Sequence, residues 1–134
     1  MNLSGQAVAK ALRDTHLTAQ QLWVVHDELD LPLCRMRIRL GGSGAGHNGV
    51  LSIINALGTP DFARFRVGIG KPSRKGSHAG RHYVLGRFTK AEAERVPKIV
   101  DGVADALELA LDAGIERAMD RFNRAGALGC EELP

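Results

Sequence analysis

The side chains best suited to chemistry lie in two short stretches, Gly41-Gly42-Ser43-Gly44-Ala45-Gly46-His47-Asn48-Gly49 and His26-Asp27-Glu28-Leu29-Asp30. The first is rich in glycine, so its backbone can approach another molecule without Cβ atoms in the way. It ends on His47 and Asn48 at an expected helix start, where unpaired N–H groups and the helix dipole favour anionic oxygen. In the second, Asp27 is the residue type that holds a histidine in one tautomer as a general base toward water, the usual way to hydrolyse an ester without a metal. Each has a plainer reading. Asp27, Glu28 and Asp30 suit a turn before Pro32, and His47 and Asn48 suit a helix cap, although histidine is an uncommon choice there. His26 is a poor partner for Asp27, because neighbours on a strand point to opposite faces. His16, His78 and His82 sit in polar stretches and read as surface residues. No G-x-S-x-G nucleophile motif is present.

Gly44 to Gly49 also matches G-x-G-x-x-G, the dinucleotide-binding fingerprint. That fingerprint needs an acidic residue about 20 positions on, after a second strand. The chain instead has Val67-Gly68-Ile69-Gly70 there, so the match is weak.

The elements that must position these residues follow from periodicity. Ser4 is an N-cap candidate for a helix over Gly5 to Arg13, with Ala7, Val8, Ala11 and Leu12 on one side. Leu22 to Val25 is an apolar run fit for a buried strand, which delivers His26 to Asp30 to its end. Cys34, Met36, Ile38 and Leu40 alternate with Arg35, Arg37 and Arg39, the pattern of a strand with one basic face. Phe65, Val67 and Ile69 alternate in the same way with Arg64 and Arg66, so two strands are expected to present arginines to solvent. Between them Val50, Leu51, Ile53, Ile54 and Leu57 form a helix that Gly58 ends. Gly68 to Arg81, with Lys71, Arg74 and Lys75 among glycines and a proline, reads as a mobile basic loop. Thr89 and Glu92 resemble a capping box. Pro97 restarts a helix whose stripe of Ile99, Val100, Val103, Leu107, Ala110 and Leu111 stops at Gly114, and a last helix covers Ile115 to Asn123.

Composition sets the frame. The 134 residues suffice for one domain. The expected boundaries are 1–125 for the folded part and 126–134 for a disordered tail with little to bury. No apolar run approaches the roughly 20 residues that cross a bilayer, which reads as a soluble intracellular protein. Cys34 and Cys130 are far apart and lack metal-ligand spacing, so neither a disulfide nor a zinc site is expected. Residues 31–100 carry 13 Lys and Arg against 3 Asp and Glu, whereas 101–134 carry 3 against 8. The basic character therefore lies in the middle, on the arginine strands and the loop. The i to i+2 step on a strand, roughly 6.6 Å from a rise of about 3.3 Å per residue, suits successive phosphates, which points to an RNA-type partner.

Met1-Asn2-Leu3-Ser4-Gly5, His26-Asp27-Glu28-Leu29-Asp30, Leu40-Gly41-Gly42 through Gly46-His47-Asn48-Gly49, Arg66-Val67-Gly68-Ile69-Gly70 and Tyr83-Val84-Leu85-Gly86 together resemble the bacterial-type peptidyl-tRNA hydrolase family, in order from Met1 to about Asn123. The resemblance implies an α/β fold, a single-domain three-layer sandwich with a mixed sheet flanked by helices. It implies cleavage of the ester between a peptide and its tRNA, in the cytoplasm or an organelle, by a monomer with peptidyl-tRNA as partner, no membrane, no metal and no cofactor. By that likeness Asn2 binds peptide backbone, Asp27 orients the catalytic histidine, Asn48 holds the attacking water, and His47 lines the same cleft. Arg39, Arg66, Lys71, Arg74 and Lys75 fall where the family grips tRNA phosphates, and Gly70 to Gly86 resembles its gate loop. In the family a first strand, a loop with an active-site asparagine and the catalytic histidine precede this Met-Asn. Impaired turnover and exposed apolar surface are therefore expected of this chain. The alternative reading is a catalytically inactive RNA- or tRNA-binding module.

Overall fold

The computed structural model of the chain describes residues 3–44, 46–70 and 86–133. In chain order the elements are α1 (Ser4–Thr15), a 3-10 turn (Ala19–Gln21), β1 (Trp23–Glu28), β2 (Met36–Leu40), α2 (Asn48–Leu57), β3 (Ala63–Gly68), α3 (Lys90–Ala93), α4 (Val96–Ala113) and α5 (Ile115–Phe122). The three strands form one sheet in the order β1-β3-β2, with β3 at its centre. Ala63 N–H donates to the Leu22 carbonyl and Ile69 N–H to the Glu28 carbonyl, so β3 advances in step with β1 and the two are parallel. Gly41 N–H reaches the Phe62 carbonyl while Gly68 N–H reaches the Arg35 carbonyl, so β2 and β3 run in opposite directions. The sheet is mixed, as expected.

By residue contacts the chain divides into two compact units, one of Met1–Val25 with Arg39–Phe65 and one of His26–Ile38 with Arg66–Pro134. In the first, α1 packs on α2, and Val50, Ile53 and Phe62 form a buried cluster with Val8, Leu22 and Val24 packed against it. Ser4 is the first residue of α1 rather than its cap; Leu3 holds the cap position and makes no side-chain bond there. Of the expected apolar face, Val8 and Leu12 are half-buried while Ala7 and Ala11 are exposed. Gly58 ends α2 in the left-handed conformation, as its position predicted.

In the second unit, Met36 and Ile38 are fully buried, and Thr89 and Glu92 form the expected capping box at α3. The buried face of α4 differs from the expected stripe. Gly102, Ala106 and Ala110 face inward with Ile99, while Val100 and Leu111 are 59% and 74% exposed. Small residues allow a close approach: a Cβ at Gly102 would lie 2.7 Å from Leu128 Cδ2. That contact corrects the expectation that the tail buries little, since Leu128 is 4% exposed.

Further contacts fasten the same segment. Leu33 and Leu133 form an antiparallel bridge, Arg35 pairs with Glu132 at 3.4 Å, and Arg95 Nε donates to the Glu131 carbonyl at 3.0 Å. Cys34 and Cys130 are joined in a disulfide with Cα atoms 5.8 Å apart, against the expectation of two separate thiols. Sequence distance misled here, because the returning tail brings residues 96 apart into contact. Asn123 covers part of the edge of β2. Its Oδ1 accepts from Ile38 N–H at 2.6 Å and its Nδ2 donates to the Ile38 carbonyl at 2.9 Å, so one amide side chain stands in for a neighbouring strand.

Candidate functional site

The candidate residues of the first unit collect where the loop after β2 enters α2. His47 is the N-cap of α2, and its Nδ1 accepts from Val50 N–H at 3.1 Å. The plain capping role is thus realised by a histidine. Because Nδ1 accepts, the ring proton of the neutral imidazole sits on Nε2. His47 also closes a turn by donating its own N–H to the Gly44 carbonyl at 2.9 Å. Asn48 follows as the first helical residue with its side chain exposed, beside the helix end that favours an oxygen carrying negative charge.

The loop must be narrow to hold this shape. At Gly44 a Cβ would lie 2.5 Å from Leu51 Cδ2, so the first turn of α2 occupies the space that any other residue would fill. At Gly42, where φ is +98°, a Cβ would lie 2.7 Å from Arg39 Cζ. The guanidinium of Arg39 therefore folds against the loop while the residue as a whole remains exposed. That puts a solvated cation beside the glycine segment, which suits a phosphate.

Arg64, expected to face solvent, is instead 2% exposed. Its Nη1 donates to the Ser43 carbonyl and its Nη2 to the Pro60 carbonyl, each at 2.8 Å, and its Cζ lies 4.5 Å from the centre of the Phe62 ring. The physical reason is local: two main-chain carbonyls and a ring face stand within reach of the guanidinium and replace its water.

The candidates of the second unit lie at the end of β1. The strand runs on to Glu28 rather than stopping at Val25, so His26, Asp27 and Glu28 are strand residues and not a turn. Asp27 is half-buried. His26 Nδ1 donates to the Asp27 backbone carbonyl at 2.8 Å, which fixes the tautomer of that ring. Glu28 is buried, and its Oε1 accepts from Arg66 Nε at 2.8 Å, with 8% and 16% of the two side chains exposed. Arg66, also expected to face solvent, is thus committed to a carboxylate on β1. An unbroken apolar pair, Phe62-Ala63, ahead of Arg64 was the available hint that both faces of this strand are covered.

Asn2, Lys71, Arg74, Lys75 and the expected gate loop lie outside the described residues. An open groove lined by Leu12, Arg13, His16, Leu17 and Leu57 belongs to the first unit and contains none of the candidate residues. Among the described residues no group of three or more His, Cys, Asp or Glu has a metal-binding arrangement, and no helix is long and apolar enough to cross a membrane.

Comparison with known proteins gives the arrangement a family. A family profile described as Peptidyl-tRNA hydrolase matches residues 1–128. The chain is 46% identical over 125 residues to the peptidyl-tRNA hydrolase of Chloroflexus aggregans, a match that covers 92% of this chain and 65% of that protein. It is 44% identical over 128 residues to the peptidyl-tRNA hydrolase of Pelobacter propionicus, covering 96% of this chain and again 65% of the relative. The chain thus spans about 65% of the length of the curated relatives it matches. Among solved structures it is similar to the peptidyl-tRNA hydrolase of Acinetobacter baumannii, with a TM-score of 0.76 and 31% identity, covering 92% of this chain and 61% of that one. Its α/β architecture, a mixed sheet flanked by helices, matches theirs. The chain belongs to the peptidyl-tRNA hydrolase family.

Proposed function

We propose that the chain acts on peptidyl-tRNA, hydrolysing the ester that joins the peptide to the ribose so that tRNA returns to translation. Membership of the family supports this, and the observation that carries it is the start of α2, where His47 caps the helix and an exposed Asn48 stands beside the helix end. In this reading the Asn48 amide holds the attacking water and Asp27 orients the family's catalytic imidazole, a histidine that by the resemblance lies outside these 134 residues and takes the proton of that water. The water oxygen attacks the carbonyl carbon, the ester C–O bond breaks, and the ribose hydroxyl leaves with a proton. His47 and Asn2 flank the peptide. Arg39 meets tRNA phosphate, with Lys71, Arg74 and Lys75 as further contacts, while Arg66 stays in its ion pair with Glu28. The protein works as a monomer in the compartment of translation, away from membranes.

The test is release of tRNA from an N-blocked aminoacyl-tRNA in single turnover with the chain in excess. Release that falls about 10²-fold in Asn48→Ala supports the assignment. An ester that survives the unaltered chain rejects hydrolysis by these 134 residues.

A further inference from the structure

Arg64 is a buried charge that the proposed chemistry leaves unused. A guanidinium does not shed its proton in a protein, so it stays charged at 2% exposure and needs its hydrogen bonds where it sits. Those bonds go to main-chain carbonyls of two segments, Ser43 in the glycine-rich loop and Pro60 in the approach to β3, both at 2.8 Å. The planar fork fixes the spacing and orientation of the two carbonyls it joins, which the point charge of a lysine does not do. The Phe62 ring, 4.5 Å from Cζ, holds the plane of the fork.

The loop needs such a tether. Its glycines give it more backbone freedom than any other composition would, and Ser43 stands directly before the turn that Gly44 and His47 close at 2.9 Å. Fixing the Ser43 carbonyl sets where that turn begins, and the turn delivers His47 onto Val50 N–H and Asn48 to the first helical position. We propose that Arg64 is a positioning residue that holds the glycine-rich loop, and through it His47 and Asn48, in their working arrangement. What the loop positions for rests on the hydrolysis reading above; that Arg64 orders the loop does not.

The test is made on the full chain with Arg64→Lys, which keeps the charge, and Arg64→Met, which keeps the bulk without the fork. Amide hydrogen exchange is expected to speed up at His47 and Val50 by 10-fold or more, relative to the amides of α4. A merely structural role would accelerate the two sets together, and that result overturns the proposal, as does wild-type protection at His47 in both variants. Should neither variant fold, the unaltered chain still decides. Slowly exchanging Arg64 Nη protons with a scalar coupling to the Ser43 carbonyl carbon are expected, and their absence overturns the tether. In single turnover, Arg64→Lys is expected to lower the rate of tRNA release at least 10-fold while leaving half-saturation within about 3-fold. A change confined to half-saturation overturns the positioning role. If the unaltered chain releases no tRNA while its loop amides respond as expected, hydrolysis fails and the loop tether stands.

Discussion

β2 and β3 carry the same alternation of arginine and apolar side chains, yet their arginines meet opposite fates. On β2, at the sheet edge, Arg37 and Arg39 are exposed. On β3, at the sheet centre, Arg64 is buried on two carbonyls and Arg66 is paired with Glu28. Alternation reports which face a side chain takes, and it does not report what covers that face. One strand therefore leaves its cations in solvent, while the other commits its cations to the protein's own structure.

The strongest way to disturb this contrast is at the base of β2, where the returning tail is fastened. Cys130→Ser removes a tie between residues 96 apart. It is expected to lower stability by about 4–5 kcal/mol, as for the closure of a long loop, read as a lower urea midpoint. Thiol titration of protein purified without reductant is expected to find both cysteines oxidised. Next comes Arg64→Ala, which removes the guanidinium donor from the Ser43 carbonyl and leaves the Pro60 carbonyl with only Phe62 N–H. A loss of about 3 kcal/mol is expected from two charge-assisted hydrogen bonds and the packing of a buried side chain on Phe62. Arg39→Ala, in the matching pattern on the edge strand, is expected to change stability by less than about 0.5 kcal/mol. If the two arginine variants cost the same, edge and centre do not differ as described.

Much of the scaffold was legible beforehand, because periodicity and punctuation are local. The helix over Val50 to Leu57 with its Gly58 stop, the Thr89 and Glu92 capping box and the Gly114 stop all follow from neighbours in sequence. The family was legible from motifs spread along the chain. What escaped depends on contacts between distant segments. Arg64 reaching Ser43, Glu28 meeting Arg66, Asn123 replacing a strand beside Ile38 and Cys34 joining Cys130 have no local signature. The inward face of α4 escaped for a related reason. Its packing selects small residues for a close approach, whereas a hydrophobicity pattern selects large ones.

A smaller effect is expected from Glu28→Gln, which keeps the hydrogen bond to Arg66 Nε but removes its charge. A loss of about 1–2 kcal/mol follows from weakening one charge-assisted bond in a mostly buried pair. The freed Arg66 charge is expected to leave tRNA binding undiminished. The smallest effect on the fold, and the clearest on binding, belongs to the edge strand. Arg39→Ala is expected to reduce the slope of log affinity against log salt for tRNA by about 1, as for the loss of one phosphate contact. An unchanged slope removes Arg39 from the interface.

The proposed function rests on Asp27 and Asn48, from separate stretches of the chain, serving one ester. A double-mutant cycle in single turnover on peptidyl-tRNA tests it most directly, comparing Asp27→Asn, Asn48→Ala and the pair. The account predicts that the double variant is little slower than the slower single one, because each substitution disables the same step. Losses that multiply in full would mean that the two residues act independently, and would contradict it.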